Sequence, residues 1–154
     1  MKLRVLSYAV QTAIFYTFSV STAFASTESL CEGLVNYAKA TVPGNSLQVK
    51  LSTDWSNFKK SCVHNGKPES AEFCRLLIPN SSTEFMKDNL ASLLKCAGAD
   101  FKFGNTLLNE LEGSLIVFKV PNADPNVELK FSFSIGNETA EDYVEITSRY
   151  EKLD

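Results

Sequence analysis

Val127-Glu128-Leu129-Lys130-Phe131-Ser132-Phe133-Ser134-Ile135 is the stretch that decides the fold. Apolar and polar residues alternate along all nine positions. That period of two is the mark of a strand with one buried and one wet face. Outward from it, Gly136 to Asp142 reads as a polar turn, and Tyr143 to Tyr150 alternates again, with Val144 and Ile146 opposite Glu145 and Thr147. On the other side, Pro121 to Asn126 is a turn segment with two prolines. Ser114 to Val120 before it is a mostly apolar run that suits a buried strand. Phe101 and Phe103 flanking Lys102 predict a further short strand. Three consecutive strands with short connections predict an antiparallel meander.

The first half has helical spacing instead. Leu30, Cys31, Leu34, Tyr37 and Ala38 predict a helix over 28–40, with Thr27 as N-cap and Pro43-Gly44 as its stop. Leu47, Val49 and Leu51 alternate with Gln48 and Lys50, a short strand. Asp54 to Lys60 is ambiguous, with Trp55 and Phe58 spaced as in one helical turn. Cys62 to Pro68 reads as a turn-rich loop around Asn65-Gly66. Ser70 to Ile78 predicts a short helix ended by Pro79. Ser81 and Glu84 match a capping box, opening a helix that runs to about Cys96 and is ended by Gly98. Helices early and strands late predict an α+β fold, with the N-terminal helices packed on one face of a C-terminal antiparallel sheet.

The N-terminus has the three parts of a secretory signal: Lys2 and Arg4, an apolar stretch over 5–20, and Ala23-Phe24-Ala25 as a cleavage pattern. Cleavage after Ala25 leaves 26–154, a length that suits one α+β domain. The remaining chain holds no further apolar run long enough to span a membrane. It carries 13 basic and 18 acidic residues, a net charge of −5. That balance argues against unspecific binding to nucleic acid or to anionic membranes, and it suits a basic protein partner. The expected location is outside the cytoplasm, which means the periplasm if the source is bacterial.

Cys31, Cys62, Cys74 and Cys96 all follow the signal, and an even count in an exported chain predicts two disulfides. If the helices carrying Cys74 and Cys96 form an antiparallel hairpin, Cys96 lies about 16 Å beyond the level of Cys74, which disfavours that pair. Cys62–Cys74 with Cys31–Cys96 is preferred, and Cys31–Cys74 with Cys62–Cys96 stays open. Metal binding is not expected, because there is no C-x-x-C pair and only one histidine. No cofactor motif is present.

His64, the sole histidine, lies near Asp54, Ser61 and Glu69 in sequence, but spacing alone does not make a triad. Glu110 with Glu112, and Glu141 with Asp142, are the carboxylate pairs that a hydrolase could use; adjacent acids more often keep a turn soluble. The segment to which recognition is assigned is the loop between Cys62 and Cys74. Closed by a disulfide, it would present His64, Asn65 and Lys67 to a partner with little loss of entropy on binding. Trp55 is a further candidate anchor. The expectation is an exported, non-catalytic binding or inhibitory protein that occludes a cell-wall hydrolase or a toxin. The alternatives are a small-molecule or lipid carrier and a carboxylate-based hydrolase.

Overall fold

A computed structural model describes residues 27–54, 56–99, 101, 110–136 and 141–152. In chain order the elements are α1 (Thr27–Lys39), β1 (Ser46–Asp54), β2 (Lys59–His64), α2 (Pro68–Asn80), α3 (Met86–Cys96), β3 (Leu111–Phe118), β4 (Val127–Ile135) and β5 (Asp142–Tyr150). The fold is α+β. Three helices pack against a five-stranded antiparallel sheet of order β2-β1-β5-β4-β3. The meander β3-β4-β5 is the one expected, but β3, whose apolar run over 114–120 suggests a buried strand, lies at Leu111–Phe118 on the sheet edge and is largely exposed, because no strand covers its outer side. The β1–β2 hairpin is laid along the free side of β5.

Register explains which face is buried. One row across the sheet is His64, Val49, Ile146, Phe131 and Leu115; the next is Cys62, Leu51, Val144, Phe133 and Gly113. In strands, alternate residues share a face, so these rows point the same way, toward the helices. Val49, Leu51, Phe131, Val144 and Ile146 are each at most 1% exposed. Against them α1 brings Leu34 and Tyr37, α2 Phe73 and Leu77, and α3 Met86, Leu90 and Leu94, all buried. Each such side chain contributes about 1.5–3 kcal/mol on burial. The row between the two, Val63, Lys50, Glu145, Ser132 and Ser114, faces away from the helices. There the Lys50 ammonium sits 4.3 Å from the centre of the Tyr143 ring.

Both disulfides form in the preferred pairing. Cys31–Cys96 ties α1 to α3, and Cys62–Cys74 ties β2 to α2. Gly98, at φ +84°, ends α3 as expected: its N–H and that of Ala99 take the carbonyls of Lys95 and Leu94.

Several local expectations are corrected. Residues 59–64 are a strand, not the end of a helical turn followed by a loop. Lys59-Lys60-Ser61-Cys62-Val63-His64 carries few apolar residues because β2 is an edge strand, where lysines blunt further pairing. Helix α2 passes Pro79 and ends at Asn80. Its last turn is held from outside, because Lys60 Nζ donates to the carbonyls of Ile78 (2.6 Å) and Ser81 (2.7 Å) and Asn80 Nδ2 to that of Leu76 (2.9 Å). A cation at a helix C-terminus also meets the negative end of the dipole. The Ser81–Glu84 capping box is not used. Ser82 Oγ accepts from the N–H groups of Glu84 and Phe85, and α3 starts only at Met86. Asn89, in the apolar stripe of α3, turns back and clamps Ser82: Nδ2 donates to the Ser82 carbonyl and Oδ1 accepts from its N–H, both at 2.8 Å. Phe101 lies in no strand; Phe103, like residues 1–26, lies outside the described residues.

Candidate binding surface

The β2–α2 corner is built by covalent and hydrogen-bonding constraints together. Cys62 points to the helix side of the sheet, in the row of Leu51, and reaches Cys74 on α2 with Cα atoms 5.5 Å apart. His64, two residues on, lies on the same side at the sheet edge and is exposed. Its Nδ1 accepts the Gly66 N–H at 3.2 Å, which leaves Nε2 directed away from the loop. Gly66 makes the turn at φ +81°, a value that an L side chain resists. Asn65 is spent on structure: its N–H donates to the Gln48 carbonyl and its Nδ2 to that of Ser46. Lys67 takes the N-cap position of α2, and Pro68 opens the helix at the position where its missing N–H costs nothing.

Beyond Pro68 the corner runs into a groove between α1 and α2, of about 580 Å³. Gly33 and Tyr37 of α1, Ala40 just past its end, and Pro68, Phe73 and Leu76 of α2 give it a mostly apolar floor, and Glu32, Asn36, Glu69 and Glu72 also line it. Tyr37 and Phe73 stack with ring centres 4.7 Å apart. The Tyr37 hydroxyl turns inward and donates to the Ile146 carbonyl at 3.1 Å. Burial pushes this phenol well above the usual tyrosine range, so it stays protonated and acts as a fixed strut rather than an acid. Gly33 lets the helices close, since a Cβ there would lie 2.3 Å from Leu76 Cδ2. Glu72 accepts from Arg75 at 2.5 and 3.1 Å; this hydrogen-bonded ion pair holds its carboxyl below the usual range. Glu32 and Glu69 are exposed and carry no ion pair among the described residues.

The other predicted residues do not converge. Asp54 pairs with Lys59 at the far end of the β1–β2 hairpin from His64, about 17 Å away at 3.3 Å per residue. Ser61 is an odd number of residues from His64 and faces the opposite side of the sheet. The triad suggested by proximity in sequence is therefore not assembled. Asp54 instead accepts from Ser56 Oγ and Asn57 Nδ2, each at 2.6 Å, and these bonds lower its pKa. Glu112 is on the sheet face away from the helices, while Asp142 closes the β4–β5 turn by accepting the Gly136 N–H at 2.7 Å. Among the described residues no group of three His, Cys, Asp or Glu side chains is placed to hold a metal, and no helix is long and apolar enough to cross a membrane. Trp55 lies outside the described residues.

Sequence reasoning missed the groove. Its one sequence signal was Gly33, a residue that weakens a helix interior by about 1 kcal/mol unless a close approach requires it. Comparison with protein-family models, curated proteins and solved structures gave no match to this chain.

Proposed function

We propose that this is an exported, non-catalytic binding protein that acts by occluding a protein partner, in the manner of an inhibitor or immunity protein. The observation that carries the reading is the continuity of two features. The exposed His64 and Lys67, on a loop closed by Cys62–Cys74, lead directly into the apolar groove between α1 and α2. A covalently closed loop beside a preformed apolar crevice loses little conformational freedom on association, which favours tight recognition. The two disulfides fit an oxidising compartment such as the periplasm. A carrier would hold its ligand between helices and sheet. That layer is filled by Leu34, Leu77, Leu90 and Phe131, and the groove opens on the outer side of the helices, which favours a protein partner.

The test is affinity capture from cell-envelope extract, using the chain from Ser26 with its disulfides formed, followed by binding measurements on the purified partner. One stoichiometric protein whose affinity falls at least tenfold with His64→Ala and Lys67→Ala supports the reading. A small molecule co-purifying in place of a protein would overturn it.

A further inference from the structure

We infer that the α1–α2 groove seats a basic, amphipathic segment of the partner: two or three apolar side chains on the floor, with Lys or Arg side chains meeting Glu32 and Glu69. This rests on the binding role proposed above and names the chemistry of what is bound. Three observations converge on it. The floor is mostly apolar along both helices, from Gly33 to Ala40 just past the end of α1, with Asn36 the one neutral polar residue lining it, and from Leu76 to Pro68 on α2. At 1.5 Å per residue that is about 12 Å of groove, the span of about two helical turns, so apolar anchors at positions i, i+4 and i+7 of a docked helix would lie along it. The walls are acidic, and the acids are unequal. Glu72 is already neutralised by Arg75, whereas Glu32 and Glu69 stand on opposite helices, exposed and without an ion pair among the described residues. A ligand with positive charge on both flanks matches that pattern, and an acidic one is repelled. Finally, the floor is preformed. Tyr37 is fixed by its stack on Phe73 and its bond to Ile146, and Leu76 is drawn against Gly33, so little needs to reorganise on binding.

The geometry also separates this partner from the competing occupants. A neutral apolar molecule would gain from the floor but nothing from Glu32 and Glu69. A second copy of this acidic chain would bring its own carboxylates toward them.

The probe is a fluorescein-labelled 14-residue peptide with leucines at i, i+4 and i+7 and lysines on the flanks. Two controls accompany it: a scramble of the same composition, and a version with glutamate in place of each lysine. Binding is read by anisotropy at low and high salt. The amphipathic basic peptide is expected to bind at least tenfold more tightly than either control. Glu32→Gln with Glu69→Gln should weaken it about five- to tenfold and flatten its salt dependence, in line with two exposed ion pairs. Leu76→Asp should weaken it by more than tenfold. Because Leu76 is half-buried, thermal melting of that variant is recorded alongside, and Ala40→Glu at the other end of the floor serves as an independent block. Equal binding of peptide and scramble, or binding unmoved by both the charge and the floor variants, overturns the inference. So does sedimentation showing a dimer that the floor variants dissociate. If the natural partner is lost with His64→Ala and Lys67→Ala but kept with the floor variants, the loop binds and the groove does not; the proposed function then stands and this inference fails.

Discussion

Replacing each disulfide by a pair of alanines tests how the fold is held, because the two bridges close loops of very different length. Cys31 and Cys96 are 65 residues apart, and Cys62 and Cys74 are 12 apart. If a bridge acts mainly by restricting the unfolded chain, its removal costs about 4 kcal/mol for the long loop and about 3 kcal/mol for the short one. Alanine is the better replacement, because Cys74 and Cys96 are only 6% and 7% exposed and a serine hydroxyl there would need a partner. The short loop is nested in the long one, so the joint loss falls slightly below the sum. With a urea dependence of about 2 kcal/mol per molar, Cys31→Ala/Cys96→Ala lowers the unfolding midpoint by about 2 M and Cys62→Ala/Cys74→Ala by about 1.5 M. The assay is urea unfolding followed by circular dichroism and by fluorescence, with coincident transitions required. A larger loss from the short loop than from the long one, or a loss below about 1 kcal/mol from both, would mean that the bridges do not act by restricting the unfolded chain.

Lys60→Met leaves the carbonyls of Ile78 and Ser81 without their cation and should cost about 1–2 kcal/mol, with faster amide exchange confined to the last turn of α2. Asn89→Ala removes both halves of the Ser82 clamp from a buried position. It should cost about 2 kcal/mol in denaturant unfolding; a neutral result would mean that the turn before α3 is held by other contacts. Asp54 should titrate below the ordinary aspartate range, because hydrogen bonds from Asn57 and Ser56 favour its charged form. A folded-state pKa lowered in this way gives stability that is present above the unfolded value and lost as pH falls through the folded one. Carboxyl chemical shifts against pH check the order, and an Asp54 midpoint at or above that of a free aspartate would contradict it.

The meander was legible because β4 and β5 are half-buried strands whose two faces differ in chemistry at every step. Val127 to Ile135 could hardly be read otherwise. β2 was not legible, since an edge strand buries little: of Lys59 to His64 only Lys60 and Cys62 are even partly covered, and as one of these is a lysine the sequence shows no apolar alternation. The start of α3 was misread for a related reason: the helix begins at Met86, with Phe85 at its N-cap, and the serine turn precedes it. Ser81 and Ser82 are both competent, and the choice between them is made by Asn89, seven residues on, through tertiary contact. For the disulfides, the fixed rise of a helix argued only against Cys74–Cys96, and did so by assuming an α2–α3 hairpin that is not formed, since α1 is the helix that packs on both; the choice between the remaining pairings stayed open in the sequence. As for the surface, the loop at His64 and Lys67 was visible as a turn between two cysteines. Asn65, grouped with them, proves to be committed to the backbone of β1. The groove was invisible because Tyr37 and Phe73, at its base, are core residues, and half-buried Leu76 looks the same in sequence whether it faces a core or a crevice.

The proposed binding role places the partner at the β2–α2 corner and the adjoining groove. Site-specific photo-crosslinking in the producing cells tests this most directly, with the reactive group placed in turn at Lys67, at Ala40 and, on the opposite face of the sheet, at Lys130. One crosslinked protein of the same size is expected from Lys67 and Ala40 and none from Lys130. Crosslinks from Lys130 alone would contradict it and place the partner on the open face of the sheet.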